Sequence, residues 1–222
     1  DGEMLVTLLL EQAEKKGARV VREKVALEAV GEEVRVRLGE EVLAFDAVVL
    51  SSGAWVKELI EPLGYYVDVR PQKGQLIELT LETTEDTSKW PVCMLHGEID
   101  ILPFPDGKIL VGATHENTQG FNLVPDEELL NGMYEEACAS LPSLKDAKRS
   151  GVRVGMRAYT SDFLPFFGEV PNTTNAFVAS GLGSSGLTSG VWIGECLARM
   201  ASGEEVGFSV EKYTPQNYVR KV

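Results

Sequence analysis

From Ala176 to Gly194 an apolar strand, Ala176 to Ala179, runs into the turn Gly181-Leu182-Gly183-Ser184-Ser185-Gly186-Leu187 and then into a long helix. Gly183, Gly186, Gly190 and Gly194 strip one side of that helix, so a flat ligand or another backbone can approach closely. The helix start also presents unpaired N–H groups and the positive end of a dipole, which suit an atom that gains negative charge. Taken by itself, the segment fits a plain strand-to-helix turn as well as a ligand site.

The rest of the chain narrows the classes. Its 222 residues, 44% of them hydrophobic, suffice for one large globular domain or two small ones. Twenty-one basic against 34 acidic side chains give a formal charge of -13, which repels phosphate backbones and anionic lipid and argues against nucleic-acid or membrane-surface partners. Cys93, Cys138 and Cys196 are odd in number and far apart, which suggests neither a disulfide framework nor a zinc knuckle and fits a reducing, cytoplasmic setting. Two histidines, His96 and His115, are too few for a histidine-built metal site, so no metal is expected. No apolar run approaches the roughly 20 residues that cross a bilayer.

Periodicity predicts an amphipathic helix over 3–16 with Leu5, Leu8, Leu9 and Ala13 on one face and Gly17 as its stop. Ala18-Arg19-Val20-Val21 follows as extended chain, then an alternating ribbon at 34–38 and 42–45. Ala47-Val48-Val49-Leu50 reads as a strand buried on both faces. From about Tyr65, strands at 67–69, 75–81, 99–103 and 109–113 predict an antiparallel sheet, with 82–89 as a surface connection. Pro125-Asp126-Glu127-Glu128 opens a second helix that Pro142 ends. The fold class expected is mixed α/β: an incomplete Rossmann-like domain from 1–64 and 158–222, around an antiparallel-sheet domain from 65–157.

Two further segments carry chemistry-bearing residues. In Gly151 to Thr160, alternation puts Val152, Val154, Met156 and Ala158 on one face of a strand and Arg153, Gly155, Arg157 and Tyr159 on the other. A guanidinium beside a glycine and a tyrosine there either grips a carboxylate through two parallel hydrogen bonds or pairs with one of the chain's acids. Val48 to Trp55, a strand ending in Ser51-Ser52-Gly53-Ala54-Trp55, has the small residues found where doubly wound sheets admit a nucleotide, or else is a simple turn.

In this order, the segments resemble the D-amino-acid oxidase superfamily of FAD-dependent oxidoreductases, especially its glycine and sarcosine oxidase branch. The resemblance runs through nearly the whole chain: Ser51 to Trp55, Pro71-Gln72-Lys73-Gly74-Gln75, Val111-Gly112-Ala113-Thr114, Gly155-Met156-Arg157-Ala158-Tyr159-Thr160, Leu164 to Gly168 and Ala179 to Gly186. It implies oxidation of the C–N bond of a small amino acid or secondary amine by hydride transfer to FAD, with no protein nucleophile or metal. It gives Arg157 the substrate carboxylate, with Tyr159 beside it on the strand. FAD contacts fall to Val25, Gly53, Gly181, Leu182, Gly183, Ser184, Ser185, Gly186, Leu187 and Thr188.

Three departures qualify these expectations. The family's amino-terminal G-x-G-x-x-G does not occur, so the chain reads as a truncated portion with weakened FAD affinity, inactive alone. Asp100 stands where glycine oxidases place a substrate-contacting tyrosine, and either attracts a substrate amino group or faces solvent. Ala158 replaces the proline after the carboxylate-binding arginine. Two rival readings stay open: a non-catalytic binding module that kept the fold, and a family dehydrogenase that uses an acceptor other than oxygen.

Overall fold

The structure is a computed structural model that describes residues 2–95, 97 and 99–222. The expectations for Asp1 and His96 lie outside the described residues. The chain divides into two compact units, Asp1–Val69 with Tyr159–Val222, and Arg70–Ala158.

The first unit opens with helix α1, Gly2–Lys15, which Gly17 ends at φ +98°. Its apolar face is where the sequence puts it, yet no described residue of α1 is buried. Residues 18–21, expected as extended strand, form none. The ribbon starts later, with β1 (Val25–Val30) pairing antiparallel to β2 (Glu33–Leu38), followed by β3 (Glu41–Leu43). Gly31 at φ +67° and Glu32 close the tight turn that Val30 and Glu33 flank, and this turn selects 25–30 as the partner of β2. Next come β4 (Val48–Leu50), the short helix α2 (Val56–Ile60) and β5 (Tyr65–Val67). Val48 and Leu50 are buried but Val49 is 43% exposed, so β4 is covered on one face rather than on both.

The second unit is built on β6 (Arg70–Thr80), β7 (Cys93–Met94), β8 (Asp100–Pro103), β9 (Lys108–Gly112), helix α3 (Glu127–Ser140) and β10 (Lys148–Tyr159). These strands make a five-stranded sheet in the order β10-β6-β9-β8-β7. Asp126 caps α3 by accepting from the N–H groups of Glu128 and Leu129. One sheet face carries Ile77, Leu79, Ile101, Ile109 and Val111, which pack with Leu130, Met133, Ala137 and Cys138 of α3 into a core. The 82–89 connection is anchored at its end, where buried Thr87 donates to Phe104 O at 2.5 Å and accepts from Gly107 N at 3.0 Å.

The chain then returns to the first unit with β11 (Phe166–Glu169), β12 (Ala176–Ser180), helix α4 (Gly186–Ala201) and β13 (Val219–Lys221). β12 is buried throughout, antiparallel to β11 and parallel to β4. Ile193, Cys196 and Leu197 of α4 pack on Phe167, Phe177 and Ala179. The buried side chain of Asn175 joins the two sheets: it accepts from Val34 N at 2.8 Å and donates to Val34 O and Phe45 O at 3.0 Å each.

Candidate functional site

In the second unit, packing on α3 takes one face of the sheet and alternation leaves the other for chemistry. Because Ile99 and Ile101 point into the α3 core, Asp100 between them points to the opposite face. The register aligns Asp100, Gly112 and Leu76 in one row across β8, β9 and β6. Gly74 and Glu78 share that face with Leu76, and β10 brings Arg153 and Arg157 to it.

The two arginines meet different partners. Arg153 Nε donates to Glu78 Oε1, and Lys108 Nζ lies 3.8 Å from the same carboxylate oxygen. Arg157 Nη1 donates to Thr114 O at 2.9 Å and to Gln72 Oε1 at 3.5 Å. Its guanidinium passes directly over Gly74, where an added Cβ would stand 2.5 Å from Nη1. Gly74 is therefore what allows Arg157 to lie flat on β6. A cavity of about 340 Å³ runs along this face between Gly74, Leu76, Ala113, Arg153, Gly155 and Arg157.

The carbonyl that holds Arg157 is itself fixed by a buried network. Lys73 and Glu116 exchange backbone hydrogen bonds at 3.0 and 2.9 Å. Thr114 Oγ1 donates to Glu116 Oε1 at 2.6 Å, Gln75 Nε2 donates to the same oxygen at 2.7 Å, and Gln75 N donates to Thr114 Oγ1 at 2.9 Å. Lys73, 2% exposed, directs Nζ to Val124 O at 2.6 Å and lies 3.8 Å from Glu116 Oε2. The sequence pattern marks Pro71 to Gln75 and Val111 to Thr114 as motifs but gives Gln72, Gly74 and Thr114 no role. The available signal was the glycine inside an alternating strand, which marks a close approach by another group.

In the first unit, the parallel pairing of β4 with β12 sets their carboxyl ends side by side. Ser180 Oγ donates to Gly53 O at 2.8 Å and locks those ends together. Gly53, Gly181 and Gly183 sit at φ +57°, +76° and +52°, and an added Cβ on Gly53 meets nothing within 4 Å. A single helical turn, Gly183–Ser185, leads into α4. The hydroxyls there donate backward, Ser185 Oγ to Leu182 O and Thr188 and Ser189 to Ser185 O, so no side chain caps the first N–H groups of α4. Leu182 packs over Gly186 and Gly190 while Gly194 stays open. The structure thus brings Gly53 together with the 181–188 segment. Val25 is elsewhere, at the start of β1 in the other sheet.

Tyr159, the last residue of β10, stacks on Phe163 at 5.5 Å between ring centroids. The turn behind it is held by Asp162, whose carboxylate accepts from Leu164 N, Thr160 and Tyr218. Burial alone would raise its pKa, but these hydrogen bonds outweigh that and lower it.

The chain matches the family described as DAO, FAD dependent oxidoreductase, over residues 1–200. It is 37% identical over 219 residues to the uncharacterized oxidoreductase YurR of Bacillus subtilis, covering 97% of this chain and 58% of that protein. It is 30% identical over 181 residues to glycine oxidase of Pseudomonas putida, covering 82% and 48%. Among solved structures, iminodiacetate oxidase from Chelativorans sp. BNC1 superposes with a TM-score of 0.92 at 32% identity, over 97% of this chain and 58% of that one. This chain therefore spans roughly half of the proteins it matches, and it belongs to the DAO family of FAD-dependent oxidoreductases.

Proposed function

We propose that the full protein oxidises the C–N bond of a small amino acid or secondary amine, with FAD held by the first unit and the substrate carboxylate by Arg157 of the second. The observation that carries this reading is Arg157 itself. A planar guanidinium, suited to paired hydrogen bonds with a carboxylate, lies along a glycine-lined face and is fixed there by Thr114 O and Gln72 Oε1. The proteins named glycine oxidase and iminodiacetate oxidase in the comparisons support an amine substrate that bears a carboxylate.

The first unit fits the cofactor on independent grounds. Ser52 Oγ is buried at the end of β4 with no hydrogen-bond partner among the described residues, and it adjoins the open left-handed Gly53. A buried hydroxyl left unpaired costs about 1–3 kcal/mol, which a polar ligand atom would relieve. The uncapped N–H groups of α4 suit an electron-rich edge. Leu182, Ser184, Ser185, Leu187 and Thr188 would line that edge. When bound, FAD supplies the two-electron acceptor. Arg157 orients the substrate, and fixing its Cα–H bond in a reactive direction is worth several kcal/mol, order of magnitude only.

The test is anaerobic reduction of the full-length flavoprotein by glycine and by N-methylglycine, with Arg157→Ala alongside. The expected result is bleaching of the wild type and a KM or Kd raised ~100-fold in the variant, with flavin absorbance retained. Loss of flavin from Arg157→Ala would assign the arginine to the cofactor instead. A wild type that no amino acid bleaches would end the proposal.

A further inference from the structure

On the proposed reading of Arg157, we infer that Asp100 is the second pole of the substrate site and restricts the protein to short zwitterions whose amine is cationic. The observations are the strand register and the bareness of the face. Asp100, half-buried, carries no side-chain hydrogen bond or ion pair among the described residues. The other acid placed on this face, Glu78, is instead engaged by Arg153 and Lys108. Asp100 lies in the row Asp100–Gly112–Leu76, two strands from β6, where the Arg157 guanidinium lies over Gly74, two residues from Leu76.

Gly112 is the only residue between Asp100 and Leu76 in that row, and Gly155 on β10 has nothing within 4 Å of an added Cβ. A Cβ at Gly112 would stand 2.5 Å from the Leu76 Cβ, so the middle of the row stays without a side chain. The face thus presents a guanidinium over Gly74, a bare middle and a carboxylate.

The span suits a small substrate. Two strand spacings and the two-residue step from Leu76 to Gly74 put the Asp100 and Gly74 backbones about 12 Å apart, of which the length of an aspartate side chain can cover about 3 Å. A carboxylate and an amine on one carbon, with a hydrogen bond of about 2.8 Å at each end, bridge about 9 Å. A longer diamine or an uncharged amine cannot satisfy both poles. Asp100 touches only the amine nitrogen in this scheme, so it sets affinity and selectivity and takes no part in bond breaking.

The experiment uses the full-length flavoprotein and a pair of ligands differing in one charged group. N-methylglycine and butyrate have the same heavy-atom skeleton, with a cationic NH₂ in one and a CH₂ in the other. In Asp100→Asn, KM for N-methylglycine should rise at least tenfold while the competitive Ki of butyrate stays within twofold. Arg157→Lys should weaken both ligands. If Asp100→Asn weakens both equally, or neither, the second-pole assignment is overturned while the amine oxidation stands. If the wild type turns over no amino acid, the underlying function fails, a pattern distinct from either. Normal thermal stability and flavin content of Asp100→Asn establish that a change in KM is not misfolding.

Discussion

At Gly74 the backbone needs no unusual φ; what it needs is the missing side chain, because a Cβ there would collide with Arg157 Nη1 at 2.5 Å. Gly74→Ala should therefore lift the guanidinium off β6 and raise KM for carboxylate substrates by about tenfold, with flavin content unchanged, measured in the full-length enzyme. Gly155→Ala is the stability control, since its Cβ meets nothing within 4 Å, and the unfolding free energy from urea titration should change by no more than about 0.5 kcal/mol. Gly181 is a different case. It sits at φ +76° with Thr160 Cγ2 2.8 Å and Leu164 O 3.1 Å from an added Cβ. Gly181→Ala combines strain with a clash and should cost about 2–4 kcal/mol in denaturant titration.

Among the elements, strand identity was legible where alternation met a turn signal and was missed where two apolar stretches competed. Val20-Val21 has β-branched residues but no turn to bring it to a partner, whereas Val25–Val30 is joined to β2 by Gly31 and Glu32. Asn175 shows a second kind of omission. Its side chain closes three hydrogen bonds, to Val34 N, Val34 O and Phe45 O, across |i−j| of 141 and 130, a distance no local pattern reports. Asn175→Ala leaves the two buried Val34 backbone groups without these partners and should cost about 2–3 kcal/mol, read as a lower midpoint in urea. In the candidate site, Arg157 and the 181–188 turn stood out from the sequence through residue type and spacing. Thr114 and Gln72 did not, because a backbone carbonyl and a buried amide gain their roles only from the folded neighbourhood.

For the molecule as a whole, stability should carry a mark of the turn behind Tyr159. Burial first, then its hydrogen bond to Asp162 and the charges of Asp162 and Asp68, push the Tyr218 hydroxyl from 10.0 up to about 12. A raised pKa favours the protonated form in the folded state, so this contribution is complete below pH 10 and disappears as pH rises toward 12. Tyr218→Phe should flatten the alkaline loss of stability across that window, measured by urea unfolding at several pH values. The Asp162 carboxyl behaves oppositely, contributing above its ordinary range and weakening as pH falls through its lowered value.

The exposed Met4, Leu5, Val6, Leu8, Leu9 and Leu10 of α1 form an apolar surface. The 222-residue chain expressed alone should self-associate through that helix, and Leu5→Lys with Leu9→Lys should restore a monomer by light scattering.

The sequence alone determined the mixed α/β class, the glycine turn before α4, the strand bearing Arg157 and the family to which these belong, because each is written in local spacing and residue type. The tertiary structure decided that Gly74 exists to seat Arg157 and that Asp100 shares a face with it. It also decided that Asn175 binds two sheets and that the α1 stripe is uncovered. Those facts depend on which strands become neighbours and on which face a helix buries, and both are settled by contacts between residues far apart in the chain.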